Sequence, residues 1–183
     1  MNRKTTPILL AIALVMGLAA FLLERQSVPK RAKSASTGAR VLQMDEADIV
    51  QIRVKRDYWN SFAIARSPEG AWSLTEPSSE PASPLAVGRL LSALMSLPAQ
   101  SAIDLPSDDS ERYREYGLWE PSVEVTVSDR KGATTLSFGA PTPDGKGVYC
   151  AIHGVNKVYV TAPDAVKAIS EDLSAYRQEA SAK

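Results

Sequence analysis

The sequence predicts an α+β domain with mostly antiparallel strands, held to a membrane by an amino-terminal helix. Three observations predict it. Residues 7–23 form an uncharged apolar run. Apolar residues alternate with polar ones from residue 49 onward, most clearly at Val50-Gln51-Ile52-Arg53-Val54 and Val123-Glu124-Val125-Thr126-Val127. Two segments carry helical spacing instead, one behind Ser83-Pro84 and one behind Pro163. Local hairpins followed by a helix imply antiparallel pairing and the α+β class.

At the amino terminus, Arg3 and Lys4 precede Pro7 to Leu23, PILLAIALVMGLAAFLL. At the helical rise this run spans roughly 25 Å, the short end of what crosses a bilayer core. A cleaved signal peptide is the main competitor. No small-x-small site follows closely, because Phe21-Leu22-Leu23-Glu24 occupies that place, so residues 1–24 read as an uncleaved anchor. Residues 25–40 read as a basic flexible tether with little to bury. Orientation is open at this point. Arg25, Lys30, Arg31, Lys33 and Arg40 follow the span, which by charge bias favours a cytoplasmic carboxyl side, while the short basic start resembles an export signal.

The soluble part is expected over 41–177, in lobes of about 41–100 and 101–177, with a tail at 178–183. Val50, Ile52 and Val54 mark the first strand, Phe62 and Ile64 the second, Trp72 and Leu74 a short third. Glu76 to Pro84 suits a crossover loop. Ser83 as cap and Pro84 in the first turn then start a helix carrying Val87, Leu90, Leu91, Leu94 and Met95, and Pro98 ends it. In the second half Val123, Val125 and Val127 alternate on a strand, Leu136 and Phe138 on the next, then Val148, Cys150 and Ile152, then Val158 and Val160. Thr161, Pro163 and Asp164 open a final helix with capping-box spacing and the stripe Val166, Ile169, Leu173, Tyr176. Both halves thus read as a run of strands closed by a helix, a repeat of topology without residue-level identity.

Composition excludes several chemistries. A chain of 183 residues fits one domain or two small lobes, not a large multidomain enzyme. One Cys and one His exclude a self-contained Cys/His zinc site and an internal disulfide. Residues 1–40 hold seven Lys/Arg against one acidic residue, which leaves fourteen against twenty in the remainder. The folded part is therefore mildly acidic and lacks the basic cluster that phosphate neutralisation requires, so nucleic-acid binding is set aside.

Each candidate site also has a plain structural reading. Cys150 and His153 lie an odd three apart on a strand, hence on opposite faces, and Cys150 shares its face with Val148 and Ile152. Cys150 therefore reads as core rather than nucleophile. Gly139 to Gly147, GAPTPDGKG, has the wrong spacing for a phosphate loop and joins strand to strand, so it reads as turn chemistry. Asp104, Asp108, Asp109, Glu111 and Glu115 lack the EF-hand spacing and read as a solvated helix start capped at Asp108 or Asp109. Tyr116-Gly117-Leu118-Trp119-Glu120-Pro121 reads as a helix stop, with Gly117 in the left-handed position, Leu118 returning to the core and Trp119 exposed. Tyr149, Ala151 and His153 share the face opposite Cys150. Simple pairing across Gly154–Asn156 sets Ala151 opposite Tyr159, making Tyr149 and Tyr159 diagonal neighbours. If that face is open it is an aromatic patch suited to a partner or a glycan; if the final helix covers it, it is core.

The order AWSLTEP, LLSALMSLP, YREYGLWEPSVEVTV, TLSFGAPTPDGKGVY and KVYVTAP resembles domain of unknown function 4340 over roughly residues 49–177. The positions carrying the likeness are Trp72, Tyr116-Gly117-Leu118, Pro121, Gly139 and Val158-Tyr159-Val160. The resemblance implies a membrane-anchored domain outside the cytoplasmic membrane, often encoded beside ABC-transporter genes of the gliding-motility type. It implies no catalytic residues.

The expected function is a non-enzymatic, single-pass accessory or binding component of a transporter or cell-envelope assembly in the inner membrane. Its expected partners are the bilayer and a membrane protein such as an ABC-transporter component. Trp119, Tyr149, His153 and Tyr159 are the candidate partner-binding residues, and no metal or cofactor is expected. The alternatives are an envelope hydrolase using the acidic cluster, and a scaffold subunit held through the small-residue face Ala13-x-x-x-Gly17.

Overall fold

Alternating side chains give most of the strands their two faces, and the sheet follows from pairing those faces in register. The computed structural model describes residues 39–56, 60–105 and 109–178. Among them are β1 (Ile49–Lys55), β2 (Ser61–Arg66), β3 (Trp72–Glu76), β4 (Glu80–Pro81), β5 (Ser101–Asp104), β6 (Val123–Asp129), β7 (Ala133–Pro141), β8 (Val148–Ile152) and β9 (Lys157–Thr161). The helices are α1 (Pro84–Met95), α2 (Ser110–Glu115), α3 (Pro163–Ile169) and α4 (Leu173–Tyr176). The apolar run 7–23 and most of the tether lie outside the described residues. Among those described, no helix is long and apolar enough to cross a membrane.

All nine strands join one sheet in the order β4-β3-β2-β1-β6-β7-β8-β9-β5. Each neighbouring pair is antiparallel. Two meanders run outward from the centre, β1 to β4 on one side and β6 to β9 on the other. They meet where β1 pairs with β6, Ile52 opposite Val127 and Val54 opposite Val125. The two halves recognised in the sequence therefore share one continuous sheet.

The sheet's two faces are unequal. One face gathers Ile52, Val54, Phe62, Ile64, Leu74, Val123, Val125, Val127, Leu136, Phe138 and Cys150 into one core with the buried stripe of α1. Val166, Ile169 and Tyr176 of the carboxyl-terminal helices close the same core. Phe62 and Tyr176 stack with ring centroids 4.7 Å apart. At about 25 cal/mol per Å² of apolar area, this continuous burial is the main term holding the chain together. The other face carries Arg53, Lys55, Glu124, Thr126, Thr135 and Ser137. A second, small cluster covers only one end of it, where Leu105, Leu118, Ala151 and Val158 pack with Tyr113, Tyr116 and Tyr149.

Several expectations are corrected. The crossover loop contains β4, a two-residue edge strand ending in Pro81, a residue that cannot donate to a ladder and so suits an edge. After α1 the chain returns as β5 to the far edge of the sheet beside β9. The expected final helix is two short ones, because the helix stops at Ser170 and restarts after Asp172. Its N-cap is Ala162, since Thr161 completes β9 and lies fully buried there. Ser83 does stand at the N-cap of α1 with Pro84 behind it, but its hydroxyl makes no capping bond. Helix α1 reaches its C-cap at Ser96, two residues before Pro98.

Candidate functional site

The site is built by the stop of α2. Asp109 caps the start of that helix, its carboxylate accepting from the Arg112 N–H at 3.2 Å. At the other end Gly117 takes φ +67°. Its N–H bonds the Arg114 carbonyl at 2.9 Å, and the Leu118 N–H bonds the Tyr113 carbonyl at 2.8 Å. This is a Schellman stop, and Leu118 folds back against Tyr113 as that motif requires.

Gly117 also docks the stop onto the sheet. The Tyr116 carbonyl accepts from the Ala140 N–H of β7 at 2.8 Å. A Cβ on Gly117 would meet that Ala140 nitrogen at 2.7 Å, and one on Gly139 would run into the Tyr116 carbonyl. The two glycines singled out by the family resemblance thus face each other backbone to backbone. Their missing side chains let the turn lie flat on β7.

Docked there, the segment Leu118–Pro121 forms one wall of an open cleft of about 440 Å³. Lys55, Arg56, Glu124, Ser137 and His153 complete the lining. A smaller hollow of about 270 Å³ also has Ser137, His153 and Leu118 in its lining, together with Tyr113 and Ala151. Ser137 is 2% exposed, and its hydroxyl lies 2.8 Å from His153 Nε2. Glu124 sits directly opposite Ser137 in the β6–β7 ladder. Its carboxylate lies 3.7 Å from Lys55 Nζ and 3.7 Å from His153 Nε2. Both distances exceed hydrogen-bond length, so they are loose ion-pair approaches. Arg56 is ion-paired with Asp172.

This Ser–His contact is not a catalytic triad. Such a triad places the acid on the imidazole nitrogen facing away from the serine, whereas Glu124 approaches the same Nε2 that Ser137 bonds. Among the described residues no group of three or more His, Cys, Asp or Glu side chains is placed to hold a metal ion.

Trp119 is 57% exposed. The Arg114 guanidinium lies over its ring, 4.8 Å from the centroid. The ring borders both the cleft and a neighbouring hollow shared with Arg114, Gly117 and Glu120.

The structure brings Trp119 and His153 to the cleft and separates the two tyrosines. Residues 153–156 form the turn between β8 and β9, so Cys150 pairs with Tyr159 and Ala151 with Val158. The expected pairing of Ala151 with Tyr159 is one residue out of register, and such a slip exchanges faces. The turn is one residue longer than simple pairing assumes: the Val155 N–H bonds the Ile152 carbonyl at 3.1 Å with Gly154 at φ +79°, while the His153 N–H continues the β7–β8 ladder to the Thr135 carbonyl at 2.9 Å. Tyr159 consequently packs against the helix-side core. Tyr149 stacks on Tyr116 with centroids 4.4 Å apart in the small cluster. Burial, with Tyr116, Glu115 and Asp144 nearby, raises the Tyr149 hydroxyl above its ordinary pKa. The expected diagonal tyrosine patch does not form.

Cys150 is fully buried, and burial pushes its thiol up to about 12, which suits core rather than nucleophile. Of the acidic cluster, Asp109 is a cap, Asp104 lies 3.6 Å from Lys157 on the edge strand, and Asp108 falls outside the described residues. The loop after Gly139 is turn chemistry. The Thr142 hydroxyl donates to Asp144 at 2.6 Å, and this bond together with the Lys146 N–H holds the Asp144 carboxyl below its ordinary pKa.

Fold and cleft define an α+β domain built on one antiparallel sheet with an open polar face. Residues 72–181 match the family model described as Domain of unknown function (DUF4340), and the chain belongs to that family. The match begins at β3 and leaves β1 and β2 outside it, although β1 pairs with β6 at the middle of the sheet. Comparison with curated proteins and with solved structures finds no match.

Proposed function

We propose that this chain is a non-enzymatic, membrane-anchored binding component of a transporter or cell-envelope assembly, with its domain on the extracytoplasmic side. The observation that carries the reading is the open cleft under Trp119. The helices α1, α3 and α4 all pack on the opposite face, and an exposed indole beside convergent polar groups is the composition of a recognition site. The apolar run 7–23 behind Arg3 and Lys4 supports the anchor, and the association with a transporter is what the resemblance implies. Domains of this length cross a membrane largely regardless of the charge bias in the tether.

The test is purification of the tagged full chain from native membranes. A membrane protein should copurify with it, and Trp119→Ala should reduce that recovery several-fold. Purification of the unaltered chain alone contradicts the reading. Protease added to intact spheroplasts should digest a tag placed after Lys183. Protection of that tag until lysis places the domain in the cytoplasm instead.

A further inference from the structure

We infer that the cleft beneath Trp119 is a binding site for a neutral saccharide. The inference rests on the reading of this cleft as the domain's recognition surface, and it names the chemical class that the surface takes.

Charge is the first argument. The described lining carries two cations, Lys55 and Arg56, and two carboxylates, Glu120 and Glu124, with Lys55 and Glu124 facing each other across the β1–β6 ladder. An anionic ligand would have to lie against two carboxylates, and a cationic one against Lys55 and Arg56. A neutral ligand meets no such repulsion and can use both signs as hydrogen-bond partners.

The polar groups argue for a ligand dense in hydroxyls. Glu124 touches Lys55 and His153 only at 3.7 Å, so its oxygens keep lone pairs for O–H donors. Lys55 offers donors from the same spot. Ser137 and His153 already share one hydrogen bond at 2.8 Å, which fixes the imidazole at the floor while the ring remains accessible. A sugar hydroxyl both donates and accepts, so adjacent hydroxyls match a carboxylate beside an ammonium and an imidazole.

The apolar part is a single flat platform. Trp119 is the one large aromatic side chain among the described residues that is mostly exposed. Arg114 stacks on its ring and steadies it. Leu118 and Pro121 flank it in the same wall. A peptide ligand would call for a free sheet edge or several apolar pockets. The cleft instead lies over the middle of the sheet, where β1, β6 and β7 are each paired on both sides. One planar ring beside alternating donors and acceptors fits the C–H face and hydroxyl rim of a pyranose. The volume, about 440 Å³, lies in the range of small-ligand clefts.

The test uses the full chain in phospholipid nanodiscs free of glycosidic detergent. The probes are maltose, cellobiose and N,N′-diacetylchitobiose, with glucose 6-phosphate as a charged comparator. Saturation-transfer NMR and tryptophan fluorescence read binding. At least one neutral disaccharide should bind at millimolar concentration or below, and more tightly than glucose 6-phosphate. Trp119→Ala should weaken it by about tenfold or more, while Trp119→Phe keeps most of it. The melting temperature should not move in either variant, because the side chain is outside both cores. Absence of binding by all three disaccharides, stronger binding of the phosphate, or a full response in Trp119→Ala overturns the proposal. A chain that copurifies with a membrane protein but binds no disaccharide overturns the saccharide and leaves the assembly standing; one that binds maltose but purifies alone does the reverse.

Discussion

The helix-covered face and the open face are made by the same strands, yet they obey different rules. On the covered face Val54, Val125, Leu136 and Phe138 form one unbroken core with α1. On the open face their immediate neighbours, Lys55, Glu124 and Ser137, line a cleft. The period of two therefore decides stability and recognition separately, one residue apart. Substitutions on the covered face should act on folding, and those on the open face on binding.

The largest effect is expected at the covered face. Phe138→Ala removes a fully buried ring and should cost about 3–5 kcal/mol, read as a lowered denaturant midpoint. Next comes the junction between the faces. Gly139→Ala puts a Cβ into the Tyr116 carbonyl and should cost about 1–3 kcal/mol. Its particular signature is at the cleft: the Tyr116–Pro121 segment lifts, and the Trp119 fluorescence spectrum shifts toward that of a fully hydrated indole. A stable variant with an unchanged tryptophan spectrum contradicts the docking described above.

A smaller effect, of opposite sign, is expected at Tyr176. Its hydroxyl is buried without a hydrogen-bond partner. Burial, with Glu171 adding to it, raises its pKa. Tyr176→Phe keeps the stacking on Phe62 and removes the unpaired group, so it should stabilise by about 1 kcal/mol. A loss of stability would reveal a partner for that hydroxyl.

The fold was legible wherever local pattern decides it. The alternation at Ile52–Val54 and Val123–Val127, the start of α1 at Ser83-Pro84 and the stop at Gly117 are all set by neighbouring residues; at Val50 a bulge between Ile49 and Gln51 breaks the alternation and puts Ile49 in the core instead. The site was half legible. Trp119 follows from the helix stop, but Glu124 and Ser137 become site residues only because β6 pairs with β7 in one register. The alternation in Val123-Glu124-Val125 and Leu136-Ser137-Phe138 already placed both on the polar face; their partnership is long-range. Tyr159 lies on the face opposite to the expected one for a related reason. A turn one residue longer than simple pairing assumes, closed by the Val155 N–H on the Ile152 carbonyl, reverses its face.

The covered face also has a pH signature. Burial raises the Cys150 pKa to about 12, against about 8.5 for a free thiol in the unfolded chain. Its contribution is fully present below the unfolded value and is lost as pH rises toward the folded one. Between those limits the unaltered chain should lose stability more steeply than Cys150→Ala. Dithionitrobenzoate at pH 8 should label the thiol only on unfolding.

The division of labour between the faces is tested most directly by site-specific photocrosslinking in intact membranes. A benzophenone amino acid is placed in the full chain at Trp119, or at Leu85, which is 72% exposed at the start of α1 on the helix side. Crosslinked, mass-shifted adducts from position 119 with none from 85 are the predicted result. Adducts from 85 alone would put the recognition surface on the helix side and contradict the account.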